Sequence, residues 1–341
     1  MANNKYFKLI LIIFVIIALV AGVSFSIFLK NLYSDAKISN YPIFFEISYG
    51  MGLNEITDIL YSSKLIRSKI VFKIYVMVIG AANKLQAGSY ETETPISIPN
   101  LVDILKSGPQ EIEAVIFPGM TLKEIDDRFS ELKIIKQGSL IYYQGFDKLK
   151  NKYQFLESAK NLEGYLFPDT YRFYKNSNAD FVIDKILSNF KSKIDSLIFQ
   201  NSGIDLKKIL IIASMLEKEA PGYEDRRLIA GIMEKRLKVG MPLQIDASVI
   251  YAKCSGRFIG CPALEGIDFK FDSEYNTYYY KRLTPTPIGN PDLEAIKASI
   301  EKKDSRYWYY LSDPKTKKTI FSVDLDEHNK NRAKYLLLNK K

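Results

Sequence analysis

Gly50-Met51-Gly52-Leu53-Asn54-Glu55-Ile56 and Gly119-Met120-Thr121-Leu122-Lys123-Glu124-Ile125 are two copies of one pattern. Each follows a short apolar run, residues 44–47 in the first case and 114–117 in the second. Each leads into apolar residues at helical spacing: Ile56, Ile59 and Leu60, then Leu122, Ile125 and Phe129. The repeated unit therefore reads as strand, glycine turn, helix. Glycine supplies at the turn a left-handed backbone that other residues adopt only at a cost. Between the copies, Gln86-Ala87-Gly88-Ser89-Tyr90 reads as a strand entry and residues 101–105 as a short helix. Linked pieces of this kind predict an α+β class.

The chain has 341 residues, of which 47% are hydrophobic, enough for more than one folded core. Residues 9–29, from Leu9 to Leu29, carry no charge. As a helix at about 1.5 Å per residue they reach roughly 30 Å, the hydrocarbon thickness of a bilayer. Lys5 and Lys8 precede the run, as expected for a cytoplasmic N-terminus, but Lys30 and Lys37 follow it, so the charge bias alone is weak. A cleaved signal peptide has a shorter apolar region of about 7–15 residues. No small-residue cleavage site follows Ala21 and no lipid-accepting Cys is present, so a retained single-pass anchor is the expectation. Residues 31–41 are polar and read as a linker beyond it. The net charge of +9 comes from scattered Lys with no Arg-rich stripe, which points to anionic surfaces and away from nucleic acid. Cys254 and Cys261 flank a turn-forming stretch; a disulfide there would stabilise by about 2–3 kcal/mol in the chain-entropy model. Two free thiols are the alternative reading. With His328 as the single histidine, no metal set and no cofactor are expected.

From residue 139 onward the pattern is a larger domain. Residues 180–199 have helical periodicity through Ile183, Ile186, Leu187, Phe190 and Ile194. Asp205 is a plausible N-cap for a helix over 206–220, which ends Glu217-Lys218-Glu219-Ala220-Pro221-Gly222. Residues 226–238 repeat the helical pattern, residues 307–311 and 319–323 read as a β-hairpin, and 329–338 as a closing helix. On the helical wheel, Glu217 falls with Leu206 and Leu210 and points inward, towards a partner among Arg226, Arg227 and Arg236. Glu219 falls at the edge of the apolar stripe, where substrate has access. Apolar neighbours and the negative end of a helix dipole raise a carboxyl pKa, with Lys208, Lys218 or an Arg placed to oppose the rise. A general acid working near neutrality needs that shift. An exposed helix-end acid paired with Lys is the competing reading of Glu219.

The strand–turn–helix repeat resembles the opening of LysM-like modules, which grip cell-wall sugars; a compact αβ spacer is the alternative. The whole chain resembles the YceG-like family of membrane-anchored endolytic murein transglycosylases. The resemblance is carried by Leu162-Glu163-Gly164-Tyr165-Leu166-Phe167-Pro168-Asp169-Thr170-Tyr171, residues 213–220, and Leu243-Gln244-Ile245-Asp246-Ala247-Ser248-Val249-Ile250-Tyr251. Tyr275-Asn276-Thr277-Tyr278, Pro287-Ile288-Gly289-Asn290-Pro291 and Glu327-His328-Asn329 continue it in order. Ile245, Ala247, Arg282, Thr284, Thr286 and the Cys pair depart from the family pattern, leaving no proposed catalytic group missing.

The resemblance implies an α+β protein with an anchor and linker (1–30, 31–41), a LysM-like region (42–138) and a transglycosylase domain (139–341). It places the catalytic acid, the second Glu of the Glu-Lys-Glu triplet, on Glu219. It implies cleavage of the β-1,4 bond after N-acetylmuramic acid, with Glu219 protonating the leaving oxygen and the sugar's own C6 hydroxyl closing a 1,6-anhydro end. Gln244, Asp246, Asn276 and Thr277 are polar residues suited to holding sugar groups, and Tyr251 and Tyr278 suited to stacking on a sugar face. Glu163 and Asp169 are expected in capping or loop-fixing roles. The expected partners are peptidoglycan strands and the membrane through Leu9–Leu29, with the domain outside the inner membrane in the periplasm. Whether a peptidoglycan synthase is a further partner stays open. A non-enzymatic wall-binding scaffold is the alternative function.

Overall fold

A computed structural model describes residues 2–35, 42–92, 95–200 and 203–337. Most of the expected linker, and Leu338 of the expected closing helix, lie outside the described residues. The chain is mixed α+β and separates into two compact units: residues 1–112 with 174–176, and residues 113–173 with 177–341.

The first unit holds α1 (Ala2–Tyr33), β1 (Ile43–Ile47), α2 (Leu53–Ser62), α3 (Lys69–Val78), β2 (Gly88–Thr92) and α4 (Ile98–Ser107). α1 contains the only stretch among the described residues that is long and apolar enough to cross a membrane, Phe7–Tyr33. β1 and β2 pair antiparallel with Phe45 opposite Tyr90, whose rings stack at 5.3 Å. Leu60, Phe72, Val76, Leu101 and Leu105 fill the core under this ribbon, and Leu32 of α1 is buried among them. The repeat's physical content is its turn. Gly50 takes φ +88°, and the Glu55 carboxylate accepts the Gly52 N–H at 2.8 Å, satisfying a donor that the first turn of α2 leaves free.

β3 (Glu111–Val115) spans the boundary between the units, and α5 (Leu122–Glu131), with the second copy of the repeat, belongs to the second. Gly119 takes φ +76°. Thr121 and Glu124 form a full capping box, each side chain accepting the other's N–H at 3.1 Å. The chain continues through α6 (Phe146–Lys152), β4 (Thr170–Tyr174), which pairs with β3, and α7 (Ala179–Gln200). Then follow α8 (Leu206–Glu219), α9 (Tyr223–Lys238), α10 (Asp246–Lys253) and α11 (Leu293–Ile300). The chain closes with the hairpin β5 (Tyr309–Ser312) and β6 (Thr319–Ser322), then α12 (Leu325–Arg332), which runs into a π-helical turn, Ala333–Leu337.

α8 is the axis of the second unit. Every residue from Ile209 to Leu216 is buried, because α9 and α11 pack on it from different sides. A helix buried on more than one face reads as almost continuously apolar, and Ile209-Leu210-Ile211-Ile212-Ala213 does so. Asp205 caps its start by accepting the Lys208 N–H at 3.1 Å, and Ala220 ends it in extended conformation before Pro221.

Candidate active site

Glu219 is the last residue of α8 and lines a cleft of about 590 Å³. The facing walls come from far along the chain: Gln244 and Asp246 at the start of α10, Phe269 and Tyr278 from the following loop, Tyr309 to Ser312 of β5, and His328 and Arg332 of α12. Burial raises the Glu219 carboxyl from the ordinary 4.5 to about 7. The negative charge of Asp246 adds to the rise, and a hydrogen bond from the Tyr310 hydroxyl opposes it. The opposing group is therefore a phenol and not a cation. Lys208 pairs with Glu234 at 3.0 Å, and the Lys218 ammonium sits 3.7 Å from the centre of the Phe258 ring. A carboxyl with a pKa near 7, at the mouth of a polar cleft, can give and take a proton at neutral pH.

Glu217, two residues earlier, points the other way. Its side chain is 7% exposed and meets Arg226, 5% exposed, at 2.7 Å. Its second oxygen accepts the Asp292 N–H at 3.0 Å, at the start of α11. Arg226 also donates to the Ala220 carbonyl at 2.7 Å, locking the backbone just after Glu219. Of the three arginines considered from sequence, Arg226 is the partner; Arg227 pairs with Glu224, and Arg236 donates to the Trp308 carbonyl at 2.7 Å.

The other candidate residues separate into two sets. Gln244, Asp246 and Tyr278 share the cleft with Glu219, and Tyr278 donates to Asp246 at 2.5 Å. Gln244 has φ +58°, a strained conformation for a residue other than glycine. It is held there in part by its N–H bond to the Thr277 carbonyl at 3.2 Å. Asn276, Thr277 and Tyr251 do not line the cleft. Asn276 is fully buried and donates to the carbonyls of Phe269 and Phe271, which shapes the loop bearing Phe269 and Tyr278. Thr277 accepts the Ile245 N–H at 2.9 Å and shares a hydrogen bond with Ser248. Tyr251 packs against Tyr275 at 4.9 Å and donates to Glu163 at 2.9 Å.

Glu163 is buried, and burial pushes its carboxyl up to about 8 against donors that favour the charged form. It accepts the Leu122 N–H at 2.8 Å and the Asn290 amide at 3.2 Å, tying α5 to the loop that leads into α11. Asp169 accepts the Asn189 amide at 3.0 Å and its backbone carbonyl accepts the Ile116 N–H. Both carboxylates fix loops, and neither lines the cleft.

Tyr309, Tyr310, Arg236, His328 and Arg332 were not assigned to the site from sequence. Arg236 donates to the carbonyls of Trp308 and Leu243, so it clamps the hairpin to the loop bearing Gln244. Its guanidinium lies 5.1 Å from the centre of the Tyr309 ring, which also stacks on His328 at 5.1 Å. Burial, with the charges of Arg332 and Arg236, lowers the His328 pKa and favours the neutral imidazole. The Tyr-rich run 307–310 was the available signal. It was read only as a strand because about ninety residues separate it from Glu219, and a cleft joined across that distance has no local pattern.

Cys254 and Cys261 are joined by a disulfide, with their Cα atoms 5.9 Å apart. The loop they close is docked on the second copy of the repeat. Glu124 accepts the N–H groups of Phe258 and Ile259 at 2.7 and 3.1 Å, and Arg257 pairs with Asp127 at 2.5 Å.

Known proteins share this architecture. An endolytic murein transglycosylase of Streptococcus pneumoniae is 30% identical over 319 residues, covering 85% of this chain and 58% of that protein. The chain thus spans little more than half the length of the pneumococcal relative. An endolytic murein transglycosylase of Bacillus subtilis is 28% identical, covering 88% of this chain and 86% of its own length. The crystal structure of a yceG-like protein from Listeria monocytogenes superposes with a TM-score of 0.57 at 29% identity, covering 86% of this chain and all of that one. The YceG-like family model matches residues 45–334, from within β1 to just past α12, and the chain belongs to the YceG-like family.

Proposed function

We propose that the chain is a membrane-anchored lytic transglycosylase that cuts nascent peptidoglycan strands internally at the β-1,4 bond between N-acetylmuramic acid and N-acetylglucosamine. The observation that carries this reading is Glu219: a carboxyl raised to about 7, held by Tyr310 at the wall of a cleft of about 590 Å³. The relatives' activity agrees with it. Protonated Glu219 gives its proton to the glycosidic oxygen as the bond to C1 breaks. The resulting carboxylate then takes the proton of the muramyl C6 hydroxyl, whose oxygen bonds C1 and closes the 1,6-anhydro ring. Donor and acceptor are one group, so the overall change consumes no water and leaves the enzyme as it began. An intramolecular nucleophile makes positioning the main demand on the cleft. Gln244, Asp246 and Tyr278 are placed to meet it. A single membrane crossing, through Leu9–Leu29, would keep the cleft outside the cytoplasm and beside newly made strands.

Asp246 favours a second reading. Glycosidases that hydrolyse use two carboxylates flanking the bond, and Asp246 is a second one in this cleft. Digesting purified glycan strands with the detergent-solubilised full chain and weighing the new ends separates the readings. Ends lighter by one water than hydrolysed ends support the transglycosylase. Hydrated ends would transfer the role of base to Asp246, and intact strands would leave only wall binding.

A further inference from the structure

α3 is apolar on two faces. Val71, Phe72 and Val76 point into the core of the first unit. Ile70, Ile74, Met77 and Val78 form a second stripe at i, i+4, i+7 and i+8, and they are 69, 39, 58 and 78% exposed. A helix at a water-facing surface carries polar residues there. Here the only charges on α3 are Lys69 and Lys73.

The position of α3 says what covers the stripe. α3 packs against α1, and Arg67, just ahead of α3, donates to the backbone carbonyl of Asp35, just beyond α1. Phe28 and Leu32 of α1 pack into the same core as Phe72. Leu9–Leu29 as a helix uses up about 30 Å of hydrocarbon, so the core shared by α1 and α3 lies where α1 leaves the bilayer. We propose that α3 lies in the outer interface of that bilayer, with Ile70, Ile74, Met77 and Val78 at the boundary of headgroups and acyl chains. Interfacial helices bury an apolar face roughly 5–10 Å deep and keep basic residues at headgroup level. Lys69 is paired with Asp58 at 2.7 Å, which leaves Lys73 as the basic residue of α3 that suits anionic phospholipid. The occupant of the face is thus lipid, and α1 with α3 grips the membrane at two depths. This inference rests on α1 being a retained anchor.

The test uses the full chain in vesicles of phosphatidylethanolamine and phosphatidylglycerol, its native disulfide intact. A polarity-sensitive fluorophore is attached to a single new cysteine at Met77, at Ile16 in α1, or at Val239 in the second unit, which is exposed. Lipids spin-labelled near the headgroup or deep in the acyl chain serve as quenchers. The expected result is strong deep quenching at Ile16. Shallow quenching at Met77 should be several-fold greater than at Val239. Quenching at Ile16 with Met77 no more quenched than Val239 would overturn the proposal and leave the anchor standing. No quenching at Ile16 would overturn the anchor and the proposal together. Shielding of Met77 that grows with the protein-to-lipid ratio would assign the face to a second copy of the chain, and the lipid reading would fall.

Discussion

Glu217 and Glu219 differ by two positions on α8, and burial raises the carboxyl pKa of both, but only Glu217 has a buried cation, Arg226, as its partner. Glu219 ionises near 4.5 when unfolded and near 7 when folded. Between those values the folded state holds a proton that the unfolded state has lost, so stability falls as pH rises through that window. The full effect is on the order of 3 kcal/mol. Glu219→Gln removes it. Below about pH 4.5 the variant should melt with the wild type, and at pH 8 it should melt higher. The same substitution removes the transferable proton. General acid–base help of this kind is worth about 10²–10⁴ in rate, so formation of anhydro ends should nearly vanish while the fold persists. Glu217→Gln should behave differently, because it breaks the buried ion pair with Arg226; Arg226 keeps Asp292 at 3.2 Å and the Ala220 carbonyl, so the loss should be about 1.5–3 kcal/mol. Its melting temperature should fall at pH 7, with cleavage per folded molecule retained. Melting curves across pH and product-end assays on both variants decide the matter. Wild-type turnover in Glu219→Gln with none in folded Glu217→Gln would exchange the two assignments.

The elements around Glu219 explain both what could be read from sequence and what could not. β1, α2, α8, α9 and the β5–β6 hairpin follow from local apolar periodicity and turn residues, and the structure has them where the pattern puts them. α10 and α11 are eight residues each, too short for a helical period to stand out from the sequence around them. The site divides along the same line. The edge position of Glu219 is a property of one helix, but its bond with Tyr310 depends on how the hairpin packs. Asn276 and Thr277 carry the same polar groups whether they face a sugar or a backbone carbonyl, and burial settles that only in three dimensions. Tyr310 acts as a positioning residue. Its hydroxyl lowers the Glu219 pKa, so Tyr310→Phe should raise that pKa. A hydrogen bond to a charged group is worth about 1.5–3 kcal/mol, enough to move the alkaline limb of kcat/KM upward by roughly one pH unit. An unmoved limb, with the fold intact, would remove Tyr310 from this role. The disulfide loop is held independently by Glu124 and Arg257. Replacing both Cys254 and Cys261 by Ser should therefore cost about 2–3 kcal/mol and leave cleavage near normal. Lost turnover in a folded double variant would show that the loop shapes the cleft.

At the scale of the whole molecule, compartment is the property that most constrains the proposed function, since that function needs glycan strands outside the cytoplasm. Three features bear on which compartment holds the Glu219 cleft. Phe7–Tyr33 is long and apolar enough to span the membrane. Lys5 and Lys8 precede its uncharged stretch, Leu9–Leu29, the bias expected of a cytoplasmic end. Cys254 and Cys261 are bridged, and disulfides persist in oxidising compartments and are rare in the cytosol. A single crossing with the N-terminus inside carries everything after α1 to the outside. Alkaline phosphatase fused after Lys341 should then be active, because it matures only in an oxidising space, and β-galactosidase fused at the same place should be inactive. In intact cells, Cys254 and Cys261 should resist alkylation until a reductant is added. The protein should sediment with membranes and stay there through high-salt washing, because the helix is held by apolar burial and not by the net charge of +9. A soluble mature form beginning near Val23 would replace the anchor with a cleaved leader. An active β-galactosidase fusion would reverse the orientation and place the Glu219 cleft on the side of the membrane where no glycan strand reaches it.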